Sequence, residues 1–149
     1  MRRAGKVLIL GFGNPLRGDD GFGWKAAERL SALVDDPLVD IRALHQLTPE
    51  LAEPVSQAGY AIFIDASCEG SPGELRMQAL EAAPAGLFTH QLTPAAMLAL
   101  ALDLYGRAPE AVLFASAGES FEYVMELSKP LQATLGEVCT RVLSLLQEL

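Results

Sequence analysis

The sequence is poor in the residues that build metal clusters and disulfide scaffolds, with two cysteines and two histidines in 149 residues. Cys68 and Cys139 stand far apart, with no C-x-x-C spacing and no histidine beside either. That excludes a zinc knuckle and a disulfide framework, and it leaves two reduced, buried thiols as the expectation. Positive charge is also scarce. Eleven Lys and Arg against nineteen Asp and Glu give a formal charge of −8, so the basic footprint needed for phosphate-backbone contact is missing and nucleic acid is not an expected partner. Long apolar runs are absent too: Ala95 to Leu102 falls well short of the roughly 20 residues that span a bilayer. The start carries Arg2 and Arg3, but the apolar run Val7 to Leu10 closes at Gly11 and is too short for a secretion signal. The chain is therefore read as cytoplasmic, with no membrane partner. No G-x-S-x-G elbow, H-E-x-x-H helix or cysteine in a recognisable histidine context occurs, so no covalent nucleophile is visible.

Half the residues are hydrophobic and a fifth are charged, a balance that can bury one core, and residues 1–149 are expected to form a single domain. Val7 to Leu10 is a short apolar run closed by glycine, which suits a strand buried on both faces. Phe22, Ala26, Leu30, Leu33 and Val34 then recur at helical spacing, predicting a helix from about Gly21 to Asp35. Val39, Ile41 and Ala43 alternate as a second strand. Thr48-Pro49 resembles an N-cap with proline at the first helical position, opening a short helix limited or kinked by Pro54. Ala61 to Ile64 is a third buried strand ending at Asp65, and Glu74 to Leu80 alternates as a strand near a sheet edge would. Thr93-Pro94 repeats the cap signal for an apolar helix to about Tyr105, stopped by Gly106. Ala111 to Ala115 is the last buried strand, and Ser128 to Leu149 is a closing helix with Leu131, Leu135, Val138, Val142 and Leu145 inward. Strands alternating with helices predict an α/β fold, one sheet with helices on both sides.

The loop after the first strand carries the chemistry. Gly11-Phe-Gly13-Asn-Pro-Leu16 starts like a dinucleotide fingerprint, but Leu16 stands where the third glycine belongs. Gly13 to Gly18 has P-loop spacing, yet Asp19-Asp20 follows where Lys and Ser or Thr are needed. Two carboxylates repel phosphate, so a cation suits this loop better than an anion. Either aspartate could instead cap the helix behind it. Asp65 is the second acidic candidate, because a lone carboxylate at the end of a buried strand is costly without a partner; bonding to the amides of the following turn is the alternative. The histidines lie in identical pentapeptides, His45-Gln-Leu-Thr-Pro49 and His90-Gln-Leu-Thr-Pro94, and pattern alone gives them equal claims. A histidine converging with two strand-end carboxylates would form the mixed nitrogen and oxygen set that suits a divalent transition metal.

The run from Gly11 through Asn14, Asp19, Asp20 and Gly21 to Gly23, the segment Ile62-Phe-Ile-Asp65-Ala66, and Thr89-His90-Gln-Leu-Thr-Pro94 together resemble the hydrogenase maturation endopeptidases. These enzymes trim the C-terminal extension from the large subunit of nickel-iron hydrogenases. The resemblance implies a three-layer α/β sandwich with a twisted, mostly parallel central sheet of about five strands. It also implies an aspartate-containing, metal-dependent site in which Asp20, Asp65 and His90 contact the metal and serve catalysis, favouring His90 over His45. The nickel would come from the substrate, and another divalent metal could substitute. The implied partner is a large-subunit precursor, met by a monomer. Many members carry glutamate where Asp20 stands, and members tend to have a glycine just before the Leu127-Ser128 segment, where this chain has Val124-Met125-Glu126. Two other readings remain open: a precursor- or metal-binding accessory protein that does not cleave, and a small-molecule metallohydrolase, for which a deep closed pocket is expected.

Overall fold

The computed structural model describes residues 5–85 and 92–149. The chain enters at β1 (Val7–Phe12), whose residues Val7 to Leu10 are almost wholly buried, as expected of a central parallel strand flanked on both faces. A 3-10 turn at Gly18–Gly21 leads directly into α1 (Phe22–Leu33). β2 (Val39–Leu44), a second 3-10 turn at Pro49–Leu51, α2 (Ala52–Gln57) and β3 (Tyr60–Ser67) follow. β4 (Leu75–Leu80), α3 (Pro94–Tyr105), β5 (Glu110–Ala117) and α4 (Lys129–Glu148) complete the described elements.

The five strands form one sheet in the order β2-β1-β3-β5-β4. β2, β1, β3 and β5 run parallel, and β4 pairs antiparallel with β5 at the edge. Helices cover both faces. Phe22, Ala26 and Leu30 of α1 share a core with Leu131, Leu135, Val138 and Val142 of α4, while α2 and α3 pack Val55, Met97, Leu98 and Ala101 against Leu8, Leu10 and Phe63 on the other. The predicted mostly parallel sandwich is what forms.

Several local expectations need correction. Neither Asp19 nor Asp20 caps a helix, since no side-chain cap bond is made at the 3-10 turn or at α1. The turn enters α1 without a break, so there is no frayed N-terminus for a carboxylate to close. Thr93 does cap α3, accepting from the Ala96 N–H at 3.1 Å, but Thr48 turns its hydroxyl to Glu50 instead. Leu33 ends up 57% exposed at the last turn of α1, where the helix has run past the sheet. β3 continues through Asp65 to Ser67, because β5 pairs with it over that whole length. Cys139 is buried, but Cys68 is exposed in the turn after β3.

The order of the strands fixes where a ligand can collect. β1 leads by α1 outward to β2, and the chain then returns across β1 through α2 to reach β3. The connections therefore diverge at the carboxyl ends of β1 and β3, the crevice that open α/β sheets use for ligands. Gly11 lies level with Ile64 in the β1–β3 register, so the glycine loop leaves the sheet close to Asp65. The start of α1 is drawn tightly onto this point. A Cβ on Gly23 would collide with the Ile64 carbonyl and with Phe12. Gly23→Ala is expected to cost about 3 kcal/mol or more through backbone displacement. Urea unfolding followed by circular dichroism measures it, and a loss below about 1 kcal/mol would mean that the contact is slack.

Candidate active site

The loop from Gly13 to Gly21 is wound tightly enough that its two ends touch. Gly13 has φ +144°, and a Cβ there would strike the Asp20 carbonyl, so both conformation and space require glycine. Inside the loop, Asn14 accepts the Leu16 N–H through Oδ1 at 2.9 Å, and its own N–H donates to Asp20 Oδ2 at 2.9 Å. One oxygen of Asp20 is thus fixed by backbone. Among the described residues no hydrogen bond is made to the other.

Asp65 is held in the same way. The Ala66 N–H donates to its Oδ1 at 2.8 Å, and Oδ2 takes no hydrogen bond among the described residues. Asp65 follows Phe63 at the two-residue period of a strand, which directs it to the α2–α3 face. Burial pushes its carboxyl up to about 7; the Ala66 N–H opposes that rise, and the negative charge of Asp20 adds to it. The two carboxylates therefore sense one another across the switch point. The only nearby cation in the loop, Arg17, lies over the Tyr123 ring at 5.3 Å and makes no ion pair among the described residues. Each of the two side chains thus keeps one oxygen without a hydrogen bond among the described residues.

Asp19 has the opposite environment. It is completely buried, and it accepts the N–H groups of Glu119 (2.7 Å), Ser120 (3.0 Å) and Ser128 (2.8 Å) together with the Ser128 hydroxyl (2.8 Å). Burial alone would raise its pKa, but these four donors outweigh that and hold it below the ordinary carboxylate range. Asp19 ties the glycine loop to the segment between β5 and α4. Sequence reasoning missed its partner Ser128; the available signal was Ser128-Lys129-Pro130, a cap-then-proline pattern whose serine binds Asp19 rather than its own helix.

Of the residues singled out from sequence, the structure brings Asp20 and Asp65 together. His90 lies outside the described residues, and among those described no three His, Cys, Asp or Glu side chains cluster to hold a metal. His45 packs edge-on against Trp24, with ring centroids 4.9 Å apart.

This arrangement defines an α/β protein with two interacting aspartates at the topological switch point. Among solved structures it shares its fold with hydrogenase maturation endopeptidases. The maturating endopeptidase HybD from E. coli matches with a TM-score of 0.81 and 28% identity, over 96% of this chain and 93% of that one. A hydrogenase 2 maturation peptidase from a Thaumarchaeota archaeon matches with a TM-score of 0.72 and 26% identity over 95% and 97%. The hydrogenase maturation protease HycI from Thermococcus kodakarensis gives 0.77 and 25% over 95% and 92%. No sequence model of a protein family matches the chain, and no curated protein sequence does. The resemblance drawn from the glycine loop thus extends over nearly the whole chain. No helix among the described residues is long and apolar enough to cross a membrane.

Opposite pKa displacements give opposite pH signatures in metal-free protein. Asp19, depressed by folding, contributes stability above the unfolded carboxylate value near ~4, and that contribution is lost as pH falls through its folded value. Asp65, raised to about 7, binds its proton more tightly folded than unfolded. Its ionisation therefore lowers stability between pH ~4 and 7, at no more than roughly 1.4 kcal/mol per pH unit, with no further loss above that window. Denaturation curves in chelator across pH 4 to 8 should show this decline in the wild type and its absence in Asp65→Asn. An identical slope in both would contradict the assignment. Asp19→Ala strands three amide donors and is expected to destabilise the fold by about 3 kcal/mol or more at pH 7, read from the same curves.

Proposed function

We propose that this protein is an endopeptidase that removes the C-terminal extension of a nickel-iron hydrogenase large-subunit precursor after nickel insertion. The observation that supports it most is the uncompensated Asp20–Asp65 pair at the switch point, in a fold shared at 28% identity with an enzyme of that class.

Two carboxylates with no resident counter-charge bind poorly to one another and well to a divalent ion. The substrate's nickel would complete the site, so cleavage would follow metal insertion and not precede it. The donor chemistry fits: hard carboxylate oxygens from Asp20 and Asp65, with the His90 imidazole as the proposed third ligand, suit nickel or a similar divalent ion. Such an ion supplies Lewis-acid polarisation of the scissile carbonyl or activation of a water. Asp20 presents one oxygen while the Asn14 N–H holds the other in place. Asp65, whose carboxyl burial raises to about 7, would hold the ion through its free oxygen in its ionised form. An aspartate acting as general base towards the attacking water is the chief variant.

Intact-mass analysis of nickel-loaded and nickel-free precursor, each incubated with the protein, tests the reading. Loss of a C-terminal peptide from the loaded form alone is expected, and Asp20→Asn should abolish it while leaving the unfolding transition cooperative. Unchanged mass in a loaded, competent precursor would refute the proposal, and normal cleavage by Asp20→Asn would reduce that carboxylate to a structural role.

A further inference from the structure

Asp65 stands at one end of a row of residues that crosses the sheet. It is level with Ala115 of β5, and Ala115 is level with Arg76 of β4. Residues paired in this way share a face, here the one that α2 and α3 cover further down the strands. With strands about 4.8 Å apart, the row runs about 10 Å from Asp65 to the sheet edge. Its middle member is unusual: β5 is an interior strand, yet Ala115 is only partly buried and packs into neither core. On one side of the row Leu113 and Leu80 pack against the α2–α3 core, and on the other Ala117 is buried. Arg76, at the edge, is exposed. The helical layer therefore stops short of the row and leaves a path of bare sheet that begins at Asp65. Leu113 and Ala117, four residues apart, are separated by about 13 Å along the strand, which is room for a single extended chain.

Position selects the occupant. A peptide bond cut at Asp20 and Asp65 has to reach Asp65, and the chain beyond it needs a free way out. Towards β1 the same face is filled, because Phe12, one step past the Gly11–Ile64 pair, and its partner Leu44 pack into the α2–α3 core. Towards α1 the backbone of Gly23 lies against the Ile64 carbonyl and Phe12. Across the sheet, the way left open among the described residues is the row over Ala115. A folded precursor is too wide for it. A chain end is not, and the segment to be removed is such an end.

We propose that the C-terminal extension of the precursor lies extended from Asp65 across Ala115 to Arg76, with Ala115 keeping the path open by its small side chain and Arg76 donating to a backbone oxygen of the extension at the sheet edge. Arg76 Nε is held by Glu74 Oε1 at 3.2 Å, an exposed pair of little energetic weight, and the Nη groups of Arg76 make no hydrogen bond among the described residues. At about 3.3 Å per residue the row takes about three residues of the extension. This rests on the proteolytic reading above and adds to it the residues that align the departing segment, separate from those that hold the metal.

The test uses the full chain with two probes, a nickel-loaded large-subunit precursor for cleavage kinetics and a synthetic peptide of its extension for binding, read by amide chemical shifts of isotope-labelled protein. Ala115→Leu should raise KM and the peptide Kd by about tenfold or more, with a smaller effect on kcat, whereas Ala115→Ser, which keeps the size, should behave as wild type. Arg76→Ala, at an exposed position that folding does not depend on, should raise KM about threefold. Ala79→Leu adds the same bulk to β4 at an exposed position on the opposite face and should leave KM unchanged. Precursors whose extension is cut back to one residue should no longer distinguish Arg76→Ala from wild type. Wild-type KM and peptide affinity in Ala115→Leu overturn the path, and so do peptide-induced shifts that spare Asp65, Ala115 and Arg76. Absence of cleavage by wild type, with peptide binding at these residues still lost in Ala115→Leu, would refute the proteolytic reading alone.

Discussion

An ionised aspartate taken completely out of water is tolerated only when donors replace its hydration, and Asp19 has four of them, three backbone amides and one hydroxyl. Those donors come from a part of the chain roughly one hundred residues later, so the bond is formed only when the first strand-loop-helix unit meets the last. Everything at the carboxyl end of the sheet depends on this closure. The glycine loop is held down on one side by its own Asn14 turn and on the other by the segment before α4. Without the second anchor, the loop that carries Asp20 would be fixed only by its own turns and by the bond from the Gly13 N–H to the Leu44 carbonyl at its start.

Two neighbours in sequence consequently have opposite chemistry. Asp19 is stripped of solvent, saturated with donors and kept charged. Among the described residues Asp20 has one donor and one oxygen without a hydrogen bond, and its charge adds to the burial that makes a third carboxyl, Asp65, reluctant to ionise. The first spends its charge on architecture; the second keeps its charge available. Arg17, the one cation of the loop, makes no ion pair with either among the described residues and lies over the Tyr123 ring instead.

The fold was largely legible because it rests on periodicity. Val7 to Leu10 and Ala61 to Ile64 are apolar on both faces as parallel central strands must be, and Leu75 to Leu80 takes the expected edge position, though it is exposed along its middle and not alternately buried. Asp20 was visible as a carboxylate in the loop after the first strand and Asp65 as one closing an apolar run, although the resemblance, not the spacing, separated His90 from His45. The role of Asp19 was not legible. A cap and a long-range clasp use the same residue type in the same place, and only the partner, more than one hundred residues away, distinguishes them. The extension of β3 past Asp65 was hidden for a related reason: Ala66 and Ser67 have weak strand propensity, and their pairing with β5 decides the matter. The exposure of Leu33 and Cys68 likewise reflects where elements outrun their neighbours, a property of lengths in three dimensions.

The contact of Gly23 with the carbonyl of Ile64 has a metrological meaning. Ile64 immediately precedes Asp65, and Gly23 lies one turn of helix beyond Asp20, so the carboxylates are mounted on two backbones pressed directly together with no side chain as a spacer. The contact fixes the two backbones relative to one another, as the hinge of a calliper fixes its arms. Under the proposed reading, the torsions of two short side chains would do all the adjusting to a seated ion, because the backbones that carry them are already in contact.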